Sequence, residues 1–240
     1  MTASALPARD GEKQPMIGEK VWDELASAPL PDGKQMVLRR RGRDLEIIAG
    51  GLMLMSTQEH GSEEELARLG CRGLPDDAVV LVGGLGLGFT LRATLDAVGP
   101  EATVVQAELL PAIVEWNRGV LGPLAGHPLK DARVELAMGD VADTIRASPG
   151  RFHAILLDVD NGPRAFTQEG NGGLYGDQGL MELKTALRPD GVLAVWSAWP
   201  DRKFVHRLRH MGFEAEDHVV SARGKGGGRE HVIFLGRLRG

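Results

Sequence analysis

The chain has 240 residues, a net charge of −5 and 42% hydrophobic residues, enough for one large α/β domain with a small appendage. That charge gives no general attraction to nucleic acid or to an anionic membrane surface, and no apolar run reaches membrane-spanning length. A single cysteine, Cys71, excludes an internal disulfide framework.

Residues 1–20 are polar and dotted with Pro and Gly, and read as a disordered tail without the apolar core of a signal peptide. The expected location is the cytoplasm. Val21 to Ala28 reads as a short helix, and Pro29 to Lys34 as a turn cluster. Gln35–Arg40, Asp44–Ala49 and Leu52–Ser56 read as short strands, separated by Arg41-Gly42-Arg43 and Gly50-Gly51. They make a small antiparallel unit that could pair across a homodimer. Arg39, Arg40, Arg41 and Arg43 read as a solvated edge that discourages sheet-to-sheet pairing. No aromatic residues interleave them as a nucleic-acid surface would require. Ser62 with Glu65 has the spacing of a capping box, which leaves His60 and one glutamate of the Glu63-Glu64-Glu65 run for a site. The expected organisation is a tail over 1–20, a small β unit with a linking helix over 21–75, and a nucleoside-binding domain over 76–240.

The centre of that domain is Val79-Val80-Leu81-Val82 running into Gly83-Gly84-Leu85-Gly86-Leu87-Gly88. A buried strand, a glycine turn and a helix start follow one another, and such a helix start points free N–H groups at a ligand. The spacing is G-G-x-G-x-G. Neither register gives the G-x-G-x-x-G of a dinucleotide site, so the turn suits a nucleoside without a pyrophosphate. Strand and helix patterns then alternate. Strands are expected at Thr103–Ala107, Arg133–Ala137, Phe152–Asp158 and Val192–Ser197. Helices are expected at Pro111–Val120, Val141–Ala147, Asp177–Leu187 and about Asp201 to His210. Phe213–Val220 and His231–Leu235 close the chain as an antiparallel pair. The fold class is therefore α/β: a doubly wound, mostly parallel seven-stranded sheet with an antiparallel C-terminal hairpin, plus the small N-terminal β unit.

Ligands in such sheets bind beyond the carboxyl ends of the strands. There stand Gly83, Gly84, Gly86 and Gly88, then Glu108, then Gly139 and Asp140, then Asp158 and Asp160, then Ser197 and Trp199. Acids at three successive strand ends crowd like charges and need donors. A nucleoside supplies them: Glu108 can accept two ribose hydroxyls, Asp140 an adenine amino group, and Asp158 faces a sulfonium or amine. Asp140 alone also fits a helix N-cap. Trp196 and Trp199 either wall an acceptor pocket or pack as core and rim. His206 and His210 stand four apart, but nothing completes a metal site and none is expected. Gly224–Gly228 reads as a flexible hairpin rather than a phosphate loop.

Together these motifs resemble the spermidine synthase-like branch of the class I AdoMet-dependent transferases, over roughly residues 45–236. The glycine cluster is similar to that family's first motif and Val105-Gln106-Ala107-Glu108-Leu109 to its ribose-binding strand end. Met138-Gly139-Asp140, followed by Val141, is similar to its adenine-binding Gly-Asp. Leu156-Leu157-Asp158-Val159-Asp160-Asn161-Gly162-Pro163 is similar to its catalytic segment, and Leu174-Tyr175 to a later Leu-Phe/Tyr. The resemblance implies a nucleoside donor held by Gly83, Gly84, Gly86, Gly88, Glu108, Leu109, Gly139, Asp140, Val141 and Asp158, with Asp158 and Asp160 catalytic. Two positions depart. Gly86 stands where aminopropyltransferases carry an Asp for the aminopropyl nitrogen. Ser62 and Glu64 stand where they carry a polyamine-gripping Tyr-x-Glu. Three activities follow as expectations. Foremost is methyl transfer from S-adenosylmethionine to a small amine or similar acceptor. Next is aminopropyl transfer from decarboxylated S-adenosylmethionine to a diamine. The third is nucleoside binding without turnover.

Overall fold

The computed structural model describes residues 21–30, 32–159, 162–163, 172–224 and 227–239. The expected tail, Asp160 and Asn161 of the catalytic segment, and Lys225-Gly226 of the hairpin loop lie outside them. The chain divides into two compact units, residues 1–53 and 54–240.

In the first unit, β1 (Asp23–Pro29), β2 (Gln35–Arg41) and β3 (Asp44–Ala49) run antiparallel, and β4 (Leu52–Ser56) completes the sheet in the order β1-β2-β3-β4. The helix expected over Val21–Ala28 is thus a strand. Met36 and Leu38 of β2 alternate inward, and β1 pairs with that strand from Asp23↔Arg40 to Pro29↔Gln35. Ladder pairing overrides the helix preference of an Ala- and Glu-containing segment, and Pro29, which has no N–H to donate, ends the strand. The arginine reading is corrected too. β2 is paired on both sides, so its arginines guard no edge. Arg39 bonds Glu46 on β3 at 2.8 Å, and the Arg39 and Arg41 guanidinium groups lie 4.5 and 4.6 Å from the Trp22 ring centre.

The second unit is built on a seven-stranded sheet. Its strands are β5 (Val79–Gly83), β6 (Thr103–Glu108), β7 (Val134–Met138), β8 (Phe152–Leu157), β9 (Leu187–Ser197), β10 (Phe213–Ser221) and β11 (Glu230–Leu238), in the order β10-β11-β9-β8-β5-β6-β7. The β5–β6, β6–β7, β5–β8 and β8–β9 pairs are parallel. β11 runs antiparallel between β9 and β10. This is the expected mostly parallel sheet with its C-terminal hairpin. The chain leaves β5 towards β6 on one side and returns as β8 on the other, which opens a crevice at their carboxyl ends.

Helices α1 (Gly61–Gly70), α2 (Phe89–Ala97), α3 (Pro111–Arg118), α4 (Val141–Arg146), α5 (Gly172–Tyr175), α6 (Asp177–Ala186) and α7 (Arg202–His210) complete the unit. α1 lies directly on the sheet. A Cβ at Gly70 would come within 2.1 Å of Leu156 Cδ2 and 3.1 Å of Ala194 Cβ, so glycine is what lets the helix seat on β8 and β9. Leu174 and Tyr175 are buried in the core, with the Tyr175 ring edge-on to Phe204 at 5.8 Å. No described helix is long and apolar enough to cross a membrane.

Candidate active site

The glycine turn is held mainly by protein against protein. Gly83 still belongs to β5, and a Cβ there would meet Val141 Cγ2 at 2.9 Å and Leu157 Cδ2 at 3.1 Å. Gly84 has φ +86°, and its Cβ would fall 2.2 Å from the Asp158 carbonyl oxygen. Gly88 caps α2 in the left-handed region, with its missing Cβ 2.9 Å from Asn117 Oδ1. The missing Cβ atoms at Gly83, Gly84 and Gly88 make room for the ends of β8, α3 and α4. Gly139 differs: with φ +132° it has nothing within 4 Å of a Cβ position, so the opening lies on that side. Asn117, which the sequence reading missed, is buried and donates from Nδ2 to the carbonyls of Gly86 at 2.8 Å and Ile113 at 2.9 Å. It ties the turn to α3.

Glu108 is buried at the end of β6. Its Oε2 accepts the Leu85 N–H and its Oε1 the Leu110 N–H, both at 2.8 Å. Burial raises its pKa, and the backbone donors around it act the other way. Each oxygen keeps a second lone pair for a further donor. Leu109 beside it is exposed. Asp140 is exposed and caps α4, accepting the Ala142 N–H at 2.8 Å, as the helix-cap alternative has it. Val141 is buried beneath the glycine turn.

Asp158 follows β8 directly, and its N–H donates to the Gly83 carbonyl at 2.9 Å. Its Oδ2 accepts the Thr90 hydroxyl at 2.5 Å. Thr90, buried in the first turn of α2, is a second residue that sequence reasoning passed over. The third is Glu63. Ser62 and Glu65 make no capping box. The N-cap of α1 is His60, which makes no side-chain cap bond, and Glu65 pairs with Arg68 instead. Glu64 points outward and pairs with His60 at 2.8 Å. The inward glutamate is Glu63. Burial first, then the charge of Asp158, holds its carboxyl well above the usual carboxylate range. Burial raises Asp158 as well, against the lowering effect of the Thr90 bond.

Two acids with raised pKa values bind protons in the folded state that the unfolded chain has already released. Their burial therefore costs nothing at low pH and destabilises increasingly as pH rises above the ordinary carboxylate range. A Glu63→Gln variant should match the native melting temperature at pH 5. At pH 9 it should exceed the native value by about 2–8 °C, the shift that roughly 1–2 kcal/mol makes in a chain of this size. Equal melting temperatures at both pH values would mean that Glu63 is not held against Asp158.

Trp196 is half-buried and meets His231 edge-on at 4.7 Å, whereas Trp199 is exposed. His206 and His210 are exposed on α7. Among the described residues no group of three or more His, Cys, Asp or Glu side chains could hold a metal ion. The start of the β10–β11 loop is anchored rather than free: the Gly61 N–H donates to the Ala222 carbonyl at 2.8 Å.

No protein-family model matches the chain. It is similar to a polyamine aminopropyltransferase of Mycobacterium tuberculosis, 29% identical over 171 residues that cover 70% of this chain and 31% of that protein. It is also similar to polyamine aminopropyltransferase 2 of Streptomyces coelicolor, 28% identical over 196 residues that cover 78% and 34%. The chain spans about a third of the length of these relatives. Its fold matches the crystal structure of spermidine synthase from Thermotoga maritima with a TM-score of 0.71 at 17% identity, over 89% of this chain and 72% of that one. The match to spermidine synthase in complex with the transition-state analogue AdoDATO has a TM-score of 0.70 at 18% identity. In sequence the chain resembles these aminopropyltransferases over the matched residues, and its fold is that of the two spermidine synthase structures. Both curated relatives are named for aminopropyl transfer, so methyl transfer, the foremost expectation from sequence, draws no support from them. The structure also shifts one part of the spermidine synthase-like reading. The inward glutamate is Glu63 rather than Glu64, so a Tyr-x-Glu pattern ending there would place Gly61, not Ser62, at the tyrosine. A side chain at Gly61 has no room, because its Cβ would lie 2.2 Å from the Gly224 nitrogen.

Proposed function

We propose that the chain is a cytoplasmic aminopropyltransferase acting on decarboxylated S-adenosylmethionine and a small amine acceptor. The observation that carries this reading is the pairing of Glu63 with Asp158 at the end of β8. Burial raises the proton affinity of both carboxyls, and the Asp158 charge raises that of Glu63 further; a cation relieves both, and an alkylammonium is one. The residues present fit a nucleoside donor. Glu108 keeps acceptor capacity beside the turn, and Gly139 opens the neighbouring strand end.

In this reading Glu108 accepts the ribose hydroxyls and Asp140 the adenine amino group, with Leu109 and Val141 flanking the base. When bound, the donor supplies an electrophilic carbon beside a sulfonium. Asp158 and Glu63 hold the acceptor ammonium and take the proton that frees its lone pair. Thr90 fixes the Asp158 carboxylate, which keeps the amine at attacking distance. Asp160, two residues on in sequence, is the further acid proposed to act on the acceptor.

Methyl transfer is kept as a second reading because of Gly86. That position carries no carboxylate for an aminopropyl ammonium, and a side chain there would meet Met55 Sδ at 2.7 Å. Product analysis separates the two. With putrescine as acceptor, decarboxylated S-adenosylmethionine should turn over at least about tenfold faster than S-adenosylmethionine and release methylthioadenosine. Faster release of S-adenosylhomocysteine from S-adenosylmethionine would establish the methyl reading instead. Turnover with neither donor, despite nucleoside binding, would leave a binding module.

A further inference from the structure

Behind Glu63 the structure holds a polar chain that neither the motifs nor the relatives account for. Ser62 is fully buried. Its hydroxyl donates to Glu63 Oε2 at 2.6 Å and lies 3.0 Å from His231 Nδ1. His231 enters from β11, on the far side of the sheet order from the glycine turn, and the Trp196 ring packs against it at 4.7 Å. Ser62 and His231 are 169 residues apart in sequence. The contact exists because α1 lies across the sheet and brings its first turn over the start of β11.

A serine has one proton and sits here between two groups that can each give or take one. When Glu63 is ionised, Ser62 donates to Glu63 and His231 donates its Nδ1–H to Ser62. When Glu63 is protonated, the directions reverse: Glu63 donates to Ser62, and Ser62 donates to a bare His231 Nδ1. Moving between these arrangements transfers one proton from Glu63 to His231 while each atom keeps a hydrogen-bond partner.

We propose that Ser62 and His231 form a proton relay that carries the acceptor's proton from the Glu63–Asp158 pair to solvent. The inference rests on the acceptor reading of that pair. The balance is one proton. The acceptor enters as an ammonium and gives a proton to the carboxylates. It then attacks as a neutral amine, and as its lone pair forms the N–C bond the C–S bonding pair leaves with sulfur. The proton passes from Glu63 through the Ser62 hydroxyl to His231. His231 is half-buried, which lowers its proton affinity, with the Arg229 charge lowering and the Glu59 charge raising it. It therefore releases the proton readily once it receives it. The charged groups that bear on the other end of the chain are Asp158 and Glu64. Ser62 and His231 act through Glu63 and are positioning residues, not groups that touch the donor.

The experiment has two arms on the full chain. In the first, the imidazole of His231 is titrated by NMR in the native protein and in Ser62→Ala and Glu63→Gln, without donor or acceptor. The relay predicts a shifted His231 titration in both variants, because each breaks the hydrogen-bonded route that joins the imidazole to Glu63. An unchanged His231 titration in both overturns the proposal. In the second arm, Ser62→Ala and His231→Gln should lose roughly 10- to 100-fold in kcat, less than loss of the carboxylate itself, with KM for the donor unchanged. The acid limb of the pH–rate profile should move, and added imidazole should restore part of the rate in His231→Ala. Loss of rate with an unmoved pH profile and no rescue would make the pair a packing contact. An inactive native protein with coupled His231 titration would count against the transferase reading and leave the relay standing.

Discussion

An Asp158→Asn variant should keep its fold, bind an adenosyl nucleoside nearly as well as the native protein, and turn over roughly 10²–10⁴-fold more slowly, the range for losing a positioned acid–base group. The amide has the shape of the carboxylate, and its oxygen still accepts the Thr90 hydroxyl that lies 2.5 Å from Asp158 Oδ2. What disappears is a charge that burial already disfavours. If the carboxylate served only to cap the turn after β8, its loss would cost about 1 kcal/mol of stability and little rate. The site reading expects the opposite, a melting temperature at or above the native value at neutral pH together with a collapse in turnover. Both are read on one sample. Lost stability with normal turnover would place the reacting centre elsewhere.

The sheet was legible because its strands are nearly continuous apolar runs closed by turn residues. Val79–Val82 and Phe152–Leu157 could not be read otherwise. Acids at the strand ends marked the crevice for the same reason: Glu108 and Asp158 are costly there without partners. What the sequence could not show depends on direction. Glu63, Glu64 and Glu65 succeed one another on α1, each turned about 100° from the last, and composition does not say which faces the sheet. The burial of Gly61, Ser62, Leu66 and Gly70 sets that face, and it turns Glu63 inward. A capping-box spacing at Ser62 and Glu65 sets the N-cap two residues later than the observed His60 and hides the contact with His231. The segment Asp23–Pro29 was misread because its strand character comes from its partner, not from its own residues. The glycine turn is recognisable by its spacing, yet a Cβ at any of its four glycines would meet protein atoms, contacts that only the packed structure reveals.

Glu108 should prove the residue on which donor affinity depends most. Its two oxygens already accept the Leu85 and Leu110 N–H groups, so it fixes the glycine turn and presents its remaining lone pairs beyond β6 in one act. Glu108→Ala removes both functions and leaves two backbone donors without their acceptor. It should lose about 1–3 kcal/mol of stability along with binding. Glu108→Gln is the sharper test. It keeps the volume and one acceptor oxygen, loses the charge, and sets an NH2 group against one of the two backbone donors. Calorimetric titration with S-adenosylmethionine, its decarboxylated form and methylthioadenosine should show all three weakened by about 1.5–3 kcal/mol, roughly 10- to 150-fold, the loss expected when charge-assisted bonds to the ribose are removed. The three nucleosides differ beyond the ribose, so an equal loss for each assigns the effect to their common part. A loss confined to one would move Glu108 to the other end of the ligand, and full affinity in a folded Glu108→Gln sample would remove it from the site.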